Sequence, residues 1–262
     1  VKKSYICGAN KPDTNNRRMK LLLLSSILAV SIVRFMACGQ QETERRSDYV
    51  VEGIDVSHYQ SHIYWDSIAA QGIDFVFVKA SEGELYRDSL FVANWNAIGQ
   101  SGLLRGAYHF FHPSLDARKQ ANNFIASVPF ASGDLPPVLD FETVNGLSKK
   151  QVVRALKSWL KIVGDAYDVQ PILYTNMKLY EKYISGDFHG YKIWIARYND
   201  ETPLLNDGRP WHFWQYGNKG RLKGIEGDVD FNVYNGSLEA LKELCIYYKP
   251  DSVVAKPRPR PL

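Results

Sequence analysis

Eight short β-rich runs recur between residues 53 and 233, and helical patterns fall between the first six of them. The runs cover 53–57, 75–79, 106–111, 137–142, 171–175, 192–196, 212–216 and 229–233. Helical patterns cover 65–70, 89–100, 116–128, 148–167 and 178–184. In the longest of these, Val152, Leu156, Trp159, Leu160 and Val163 share one face, with lysines opposite. Ser148 followed by Gln151 has the spacing of a capping box. After the sixth run the helices stop. Residues 199–211 hold two prolines and no helical period, 217–227 hold four glycines, and both read as loops. A last helical pattern covers 238–247.

Apolar strands alternating with helices predict a parallel sheet closed on itself. Eight strands suit a (β/α)8 barrel, although a body of about 200 residues is at the short end for one. The expected fold is therefore α/β: a trimmed (β/α)8-type barrel of about five β/α units, then three strands with reduced helices. An open doubly wound sheet would place a glycine-rich phosphate turn after the first strand. Ser57-His58-Tyr59-Gln60 is not such a turn.

Composition adds limits. Of 262 residues, 45% are hydrophobic and 23% charged, which excludes wholesale disorder and a polytopic membrane protein. The net charge of +4 is unevenly spread. Residues 1–37 carry seven Lys or Arg and one acid, and 249–262 carry four bases and one acid, so residues 38–248 sit at −5. A mildly acidic body does not support a broad nucleic-acid footprint. Three scattered cysteines make neither a disulfide scaffold nor a zinc site.

The expected organisation is a leader over 1–37, with Met19 a possible true start; a lipidated cysteine and linker over 38–49; a catalytic barrel over 50–248; and a basic, proline-rich tail over 249–262. The apolar run 21–33 follows Arg17, Arg18 and Lys20 and is too short to span a bilayer comfortably. It ends in Phe35-Met36-Ala37-Cys38 and so resembles a bacterial lipoprotein signal. Cys38 would then carry lipid and anchor the protein to a bacterial membrane. An ordinary signal peptide cut nearby would give a secreted protein instead. Residues 40–48 are polar without apolar period and read as a flexible tether.

In such a barrel the C-terminal strand ends converge on one site. Those ends supply Asp55, Lys79, Tyr108, Asp140 with Glu142, Tyr174, Trp194, Tyr198, Gln215 and Asp230. Asp140 and Glu142 are the sharpest pair. Two apart on a strand, they share a face, with Cα atoms roughly 6.5–7 Å apart. Neighbouring buried carboxylates cannot both ionise cheaply, so one keeps its proton. An acid beside an anion is what glycosidic cleavage uses.

The motifs Asp55-Val56-Ser57 with Gln60, Gly106-Ala107-Tyr108-His109-Phe110, Leu139-Asp140-Phe141-Glu142, Tyr174-Thr175-Asn176, Trp194-Ile195-Ala196 with Tyr198, Trp214-Gln215-Tyr216 and Val229-Asp230-Phe231-Asn232 together resemble the glycoside hydrolase family 25 lysozymes. The resemblance implies a muramidase that cuts the β-1,4 bond from N-acetylmuramic acid to N-acetylglucosamine. It implies Glu142 as general acid, and Asp140 as the carboxylate that holds the substrate's acetamido group while this attacks the anomeric carbon. Asp55 and Asp230 would orient and tune that pair. Tyr108, Tyr174, Trp194, Tyr198 and Gln215 would line the substrate groove. The expected partner is the peptidoglycan glycan strand, bound by a monomer, with no cofactor and no metal.

His58 with His62, and His109 with His112, lack a clear third ligand for zinc. His109 reads as a packed barrel residue, Lys79 as half of an ion pair with an interior acid, and Glu82 as a loop acid or groove contact. Two other readings stay open: a chitinase-like glycosidase, which would act on chitin and not on cell wall, and a wall-binding module, which would release no reducing ends.

Overall fold

The computed structural model describes residues 42–199 and 201–248. The leader, Cys38 and the basic tail lie outside the described residues. The strands are β1 (Glu52–Val56), β2 (Phe75–Glu82), β3 (Tyr86–Arg87), β4 (Leu104–Phe110), β5 (Val138–Asp140), β6 (Ile172–Asn176), β7 (Ile193–Ala196), β8 (Phe213–Gly220) and β9 (Val229–Tyr234). Eight of them close a barrel in the order β1-β9-β8-β7-β6-β5-β4-β2, with β2 pairing back onto β1. The two-residue β3 hangs on β2 as a hairpin.

The helices are α1 (Trp65–Ala69), α2 (Phe91–Ser101), α3 (Ala117–Ser127), α4 (Lys149–Tyr167), α5 (Met177–Leu179, continued by a π turn to Ile184) and α6 (Leu238–Glu243). The expected capping box at the start of α4 is present: the Ser148 hydroxyl accepts from the Gln151 amide, and the Gln151 side chain accepts from the Ser148 amide. No helix separates β7, β8 and β9 among the described residues. The barrel departs from the all-parallel expectation at one strand. β9 runs antiparallel to both neighbours, because the glycine-rich stretch after β8 folds into a hairpin instead of crossing over.

Strand parity sorts the side chains into two cores. Outward residues such as Ile54, Leu139, Leu173 and Ile195 pack under the helices with Phe124, Leu156 and Trp159. Inward residues fill the lower barrel, where Phe75, Phe77 and Phe213 meet at ring centroids 5.3–5.7 Å apart. Glycines make room for this plug. A Cβ on Gly53 would sit 2.4 Å from the Phe75 ring, and one on Gly106 2.5 Å from Phe77. The plug closes the barrel below, so the inward residues one step further along each strand form the floor of an open cavity.

A bulge in β2 adjusts this pattern. Lys79 pairs with Tyr108, but the next pair is Ser81 with His109. The extra residue turns Ser81 outward, where it bonds His109 Nδ1 at 2.8 Å, and brings Glu82 back beside Lys79 at 2.6 Å. His109 is fully buried against Trp159, with its pKa pushed down to about 3 by burial, as expected for a packed neutral imidazole.

Residues 42–49 do not hang free as a tether. The Thr43 amide donates to the Lys219 carbonyl at 3.1 Å, and Arg45 bonds Glu52 and the Gln71 carbonyl. Arg46 lies over the Trp214 ring at 4.5 Å, and Tyr49 packs on Trp211 and Trp214. This strap covers the outer face of β8, which the missing late helices leave bare. A polar segment without apolar period thus does the work of a helix through stacking, which periodicity does not report.

Candidate active site

Above the aromatic plug lies a cavity of about 230 Å³. Every residue proposed from the strand ends lines it: Asp55 from β1, Tyr108 from β4, Asp140 from β5 with Glu142 just beyond, Tyr174 from β6, Trp194 from β7 with Tyr198 beyond, Gln215 from β8 and Asp230 from β9. Asp230 arrives by an unexpected route. It stands at the start of an antiparallel strand, not at the end of a parallel one, and is paired directly with Asp55.

The four carboxylates form two couples. Asp140 is buried, and burial followed by the Glu142 charge drives its pKa well above the ordinary range. Glu142 stands at the solvent-reached mouth, and its pKa is raised by desolvation, with Asp140 and Lys79 pulling the other way. Both members of this couple are raised, so together they hold a proton more readily than either carboxyl would alone. Asp140 is the deeper group and has Asp55 as a further negative neighbour. One of its oxygens, Oδ1, has no partner within the protein. In the second couple Asp55 is raised by burial and by Asp230, and Asp230 is pushed up to about 6 by its own burial.

A hydrogen-bonded scaffold fixes Asp55. Its Oδ2 accepts from Gln215 Nε2 at 2.7 Å and from Asn232 Nδ2 at 2.8 Å. Gln215 Oε1 in turn accepts from the hydroxyls of Tyr174 and Tyr198, each at 2.7 Å. The Trp194 indole donates to Asn232 Oδ1 at 2.8 Å. Gln215, Tyr174 and Trp194 are thus committed to the protein. Trp194 is 2% exposed, stacked on Phe77 at 4.6 Å, so it supports the floor instead of offering a ring to a sugar. Tyr198, 53% exposed, and Tyr59, 79% exposed, present free ring surface at the rim.

Sequence reasoning gave no site role to Asn232, Tyr59 or Phe110, although Asn232 and Phe110 stand in its motifs. Asn232 stands two residues from Asp230 and so had to share its inward face. Lys79 also lines the cavity. Its partner is Glu82, a half-buried acid further held by His112 Nε2 at 3.0 Å, and not one of the interior carboxylates. Among the described residues no cluster of His, Cys, Asp and Glu is arranged to hold a metal ion.

A closed barrel with carboxylate couples at its mouth and aromatic rings at the rim defines a carbohydrate-cleaving enzyme. The sequence matches glycosyl hydrolases family 25 over residues 54–225, and the chain belongs to that family. It is a glycoside hydrolase of the lysozyme, or muramidase, class. It is 41% identical over 201 residues to the uncharacterised protein YegX of Escherichia coli K12, covering 75% of this chain and 74% of that one. Lysozyme M1 of Streptomyces globisporus is 35% identical over 213 residues, covering 74% and 71%. A family 25 glycosyl hydrolase from Bacillus anthracis superposes with a TM-score of 0.74 at 32% identity, covering 79% of this chain and 99% of that one.

Proposed function

We propose that this enzyme hydrolyses the β-1,4 bond between N-acetylmuramic acid and N-acetylglucosamine in peptidoglycan, with Glu142 as general acid and Asp140 steering the substrate's own acetamido group. The observation that carries this reading is the unpartnered Asp140 Oδ1 at the bottom of a carboxylate-lined cavity. An orphaned buried acceptor is costly unless a ligand donor reaches it. An acetamido N–H is such a donor. Its hydrogen bond favours the ionised form of Asp140 and so keeps the proton of the couple on Glu142.

The chemistry then follows in two steps. Glu142 gives its proton to the glycosidic oxygen, that bond breaks, and the acetamido oxygen closes on the anomeric carbon. Asp140, now anionic, accepts from the acetamido N–H and stabilises the positive ring so formed. Water then attacks the anomeric carbon, returning its proton to Glu142 and restoring the acetamido group. This is retention assisted by the substrate, which frees the two carboxyls from the spacing of a direct nucleophile. Asp55, pinned by Gln215 and Asn232, and Asp230 hold the electrostatics of the floor.

Mass spectrometry of fragments from purified peptidoglycan tests the proposal. Reducing-end muramic acid supports it; reducing-end glucosamine, or no new reducing ends, overturns it. We also propose, from residues 21–38 alone, that Cys38 bears lipid and holds a monomeric enzyme at the bacterial envelope. Cell fractionation of a Cys38→Ser variant tests this, since that variant should move from membrane to soluble fractions.

A further inference from the structure

A second cavity, of about 400 Å³, adjoins the first. The wall between them includes one dipeptide: Tyr59 lines the carboxylate cavity, His58 lines the second, and their rings lie tilted at 34° with centroids 4.2 Å apart. That wall is anchored. Buried Asp88 accepts from the His58 amide at 3.0 Å and bonds its Nδ1 at 2.7 Å, tying the loop after β1 to the segment before α2.

The lining of the second cavity differs from the first. Ser61, His62 and Ser89 line it, and among the described residues their side chains make no hydrogen bond to protein. Asn94, from α2, also lines it; its residue is 5% exposed and its Nδ2 has no partner. A buried amide donor without an acceptor is rare in a folded protein. The groups on offer are one amide donor, two hydroxyls and an imidazole, with Leu90 and Ala93 between them and no carboxylate in the lining. Such a surface suits a ligand rich in carbonyl and carboxylate oxygens. The four-carboxylate cavity next door would repel the same ligand.

We propose that this side cavity receives the peptide arm carried on the lactyl group of a muramic residue while the glycan lies in the neighbouring groove. The inference rests on the peptidoglycan reading above. It adds that the enzyme reads the peptide as well as the sugar, with Asn94 Nδ2 donating to an arm carbonyl and Ser61, His62 and Ser89 bonding its amide and carboxylate groups.

The test compares two substrates: purified peptidoglycan glycan bearing its peptides, and the same glycan stripped of them by an amidase. For the triple variant Ser61→Ala/His62→Ala/Ser89→Ala, all at exposed positions, kcat/KM on the peptide-bearing glycan should fall about ten-fold, the loss of one to three neutral hydrogen bonds. On the stripped glycan it should stay at the wild-type level. Asn94→Ala should give the same pattern, with its Tm recorded to check folding. Equal losses on both substrates, or none on either, overturn the inference while leaving bond cleavage intact. If the wild-type enzyme cleaves neither substrate, the peptidoglycan reading itself falls and this inference with it.

Discussion

Asp55 and Asp230 face each other directly across the antiparallel pairing of β1 and β9. Like charges at such a position repel, and burial raises both groups, Asp230 to about 6. The unusual strand direction is what brings them together. A parallel ninth strand would have carried Asp230 to the opposite end of the barrel.

That pairing costs stability where both groups ionise. A carboxyl raised in the fold from an unfolded value near 4 is neutral in both states at low pH, so no penalty arises there. The penalty appears as pH rises through about 6, the folded value of Asp230. Asp230→Asn is therefore expected to stabilise the protein at pH 8, by up to about 3 kcal/mol, and to change it little at pH 4. Thermal melts of both proteins at the two pH values check this. A gain over wild type no larger at pH 8 than at pH 4 would contradict it.

Glu142→Gln should abolish hydrolysis without unfolding the barrel. The side chain stands at the solvent-reached mouth and makes no buried structural bond apart from its link to Asp140. Loss of a general acid costs about 10²- to 10⁴-fold in rate. The measurement is reducing-end release alongside a Tm within a few degrees of wild type. Wild-type turnover by this variant would remove Glu142 from the mechanism.

Lys79 is expected to set the alkaline limb of the pH profile. Its charge lowers both Asp140 and Glu142. Cleavage requires the couple to hold one proton, so activity falls once that proton is lost. Lys79→Met removes the opposing charge, raises the pKa of the couple and moves the alkaline limb to higher pH, whereas Lys79→Arg should leave it near wild type. Rate profiles from pH 4 to 9 distinguish the three proteins.

Much of this arrangement was legible in the sequence because strand parity is a local property. Asp140-Phe141-Glu142 reads as two inward acids around an outward aromatic, and Phe141 does pack beneath the helices. All eight barrel strands showed as apolar runs. Strand direction did not show, since a run of β-formers has no polarity and the glycines after β8 fit a hairpin as well as a crossover. The roles of Trp194 and Gln215 were also hidden. Each is set by a partner across the barrel, Asn232 and Asp55, which no spacing along the chain encodes.

Trp194 and Tyr198 should separate stability from binding. Trp194 is buried, and truncation to Ala should cost about 3–5 kcal/mol. Trp194→Phe, which keeps the ring and strands Asn232 Oδ1, should cost about 1–3 kcal/mol. Tyr198→Ala, at a half-exposed rim position, should shift Tm little and raise KM for glycan instead. Urea melts and steady-state kinetics on the same proteins decide it. A Tyr198→Ala variant with unchanged KM would mean that its ring is not a sugar platform.

The strap over β8 yields the last expectation. Arg46 lies on Trp214 at 4.5 Å and pairs with Asp48 at 2.7 Å, while Tyr49 covers Trp211 from the same side. A cation over a shielded indole is worth about 0.5–2 kcal/mol. Arg46→Ala should therefore lower stability by about 1 kcal/mol, and Arg46→Lys should recover only part, because an ammonium cannot stack as a planar guanidinium does. Removing residues 42–49 altogether should cost more, since it bares two tryptophans on a barrel wall with no helix above them. Such an exposed aromatic patch invites association. Equilibrium unfolding and light scattering on the shortened protein measure both effects. Unchanged stability and a monodisperse sample would mean that the barrel closes without its strap.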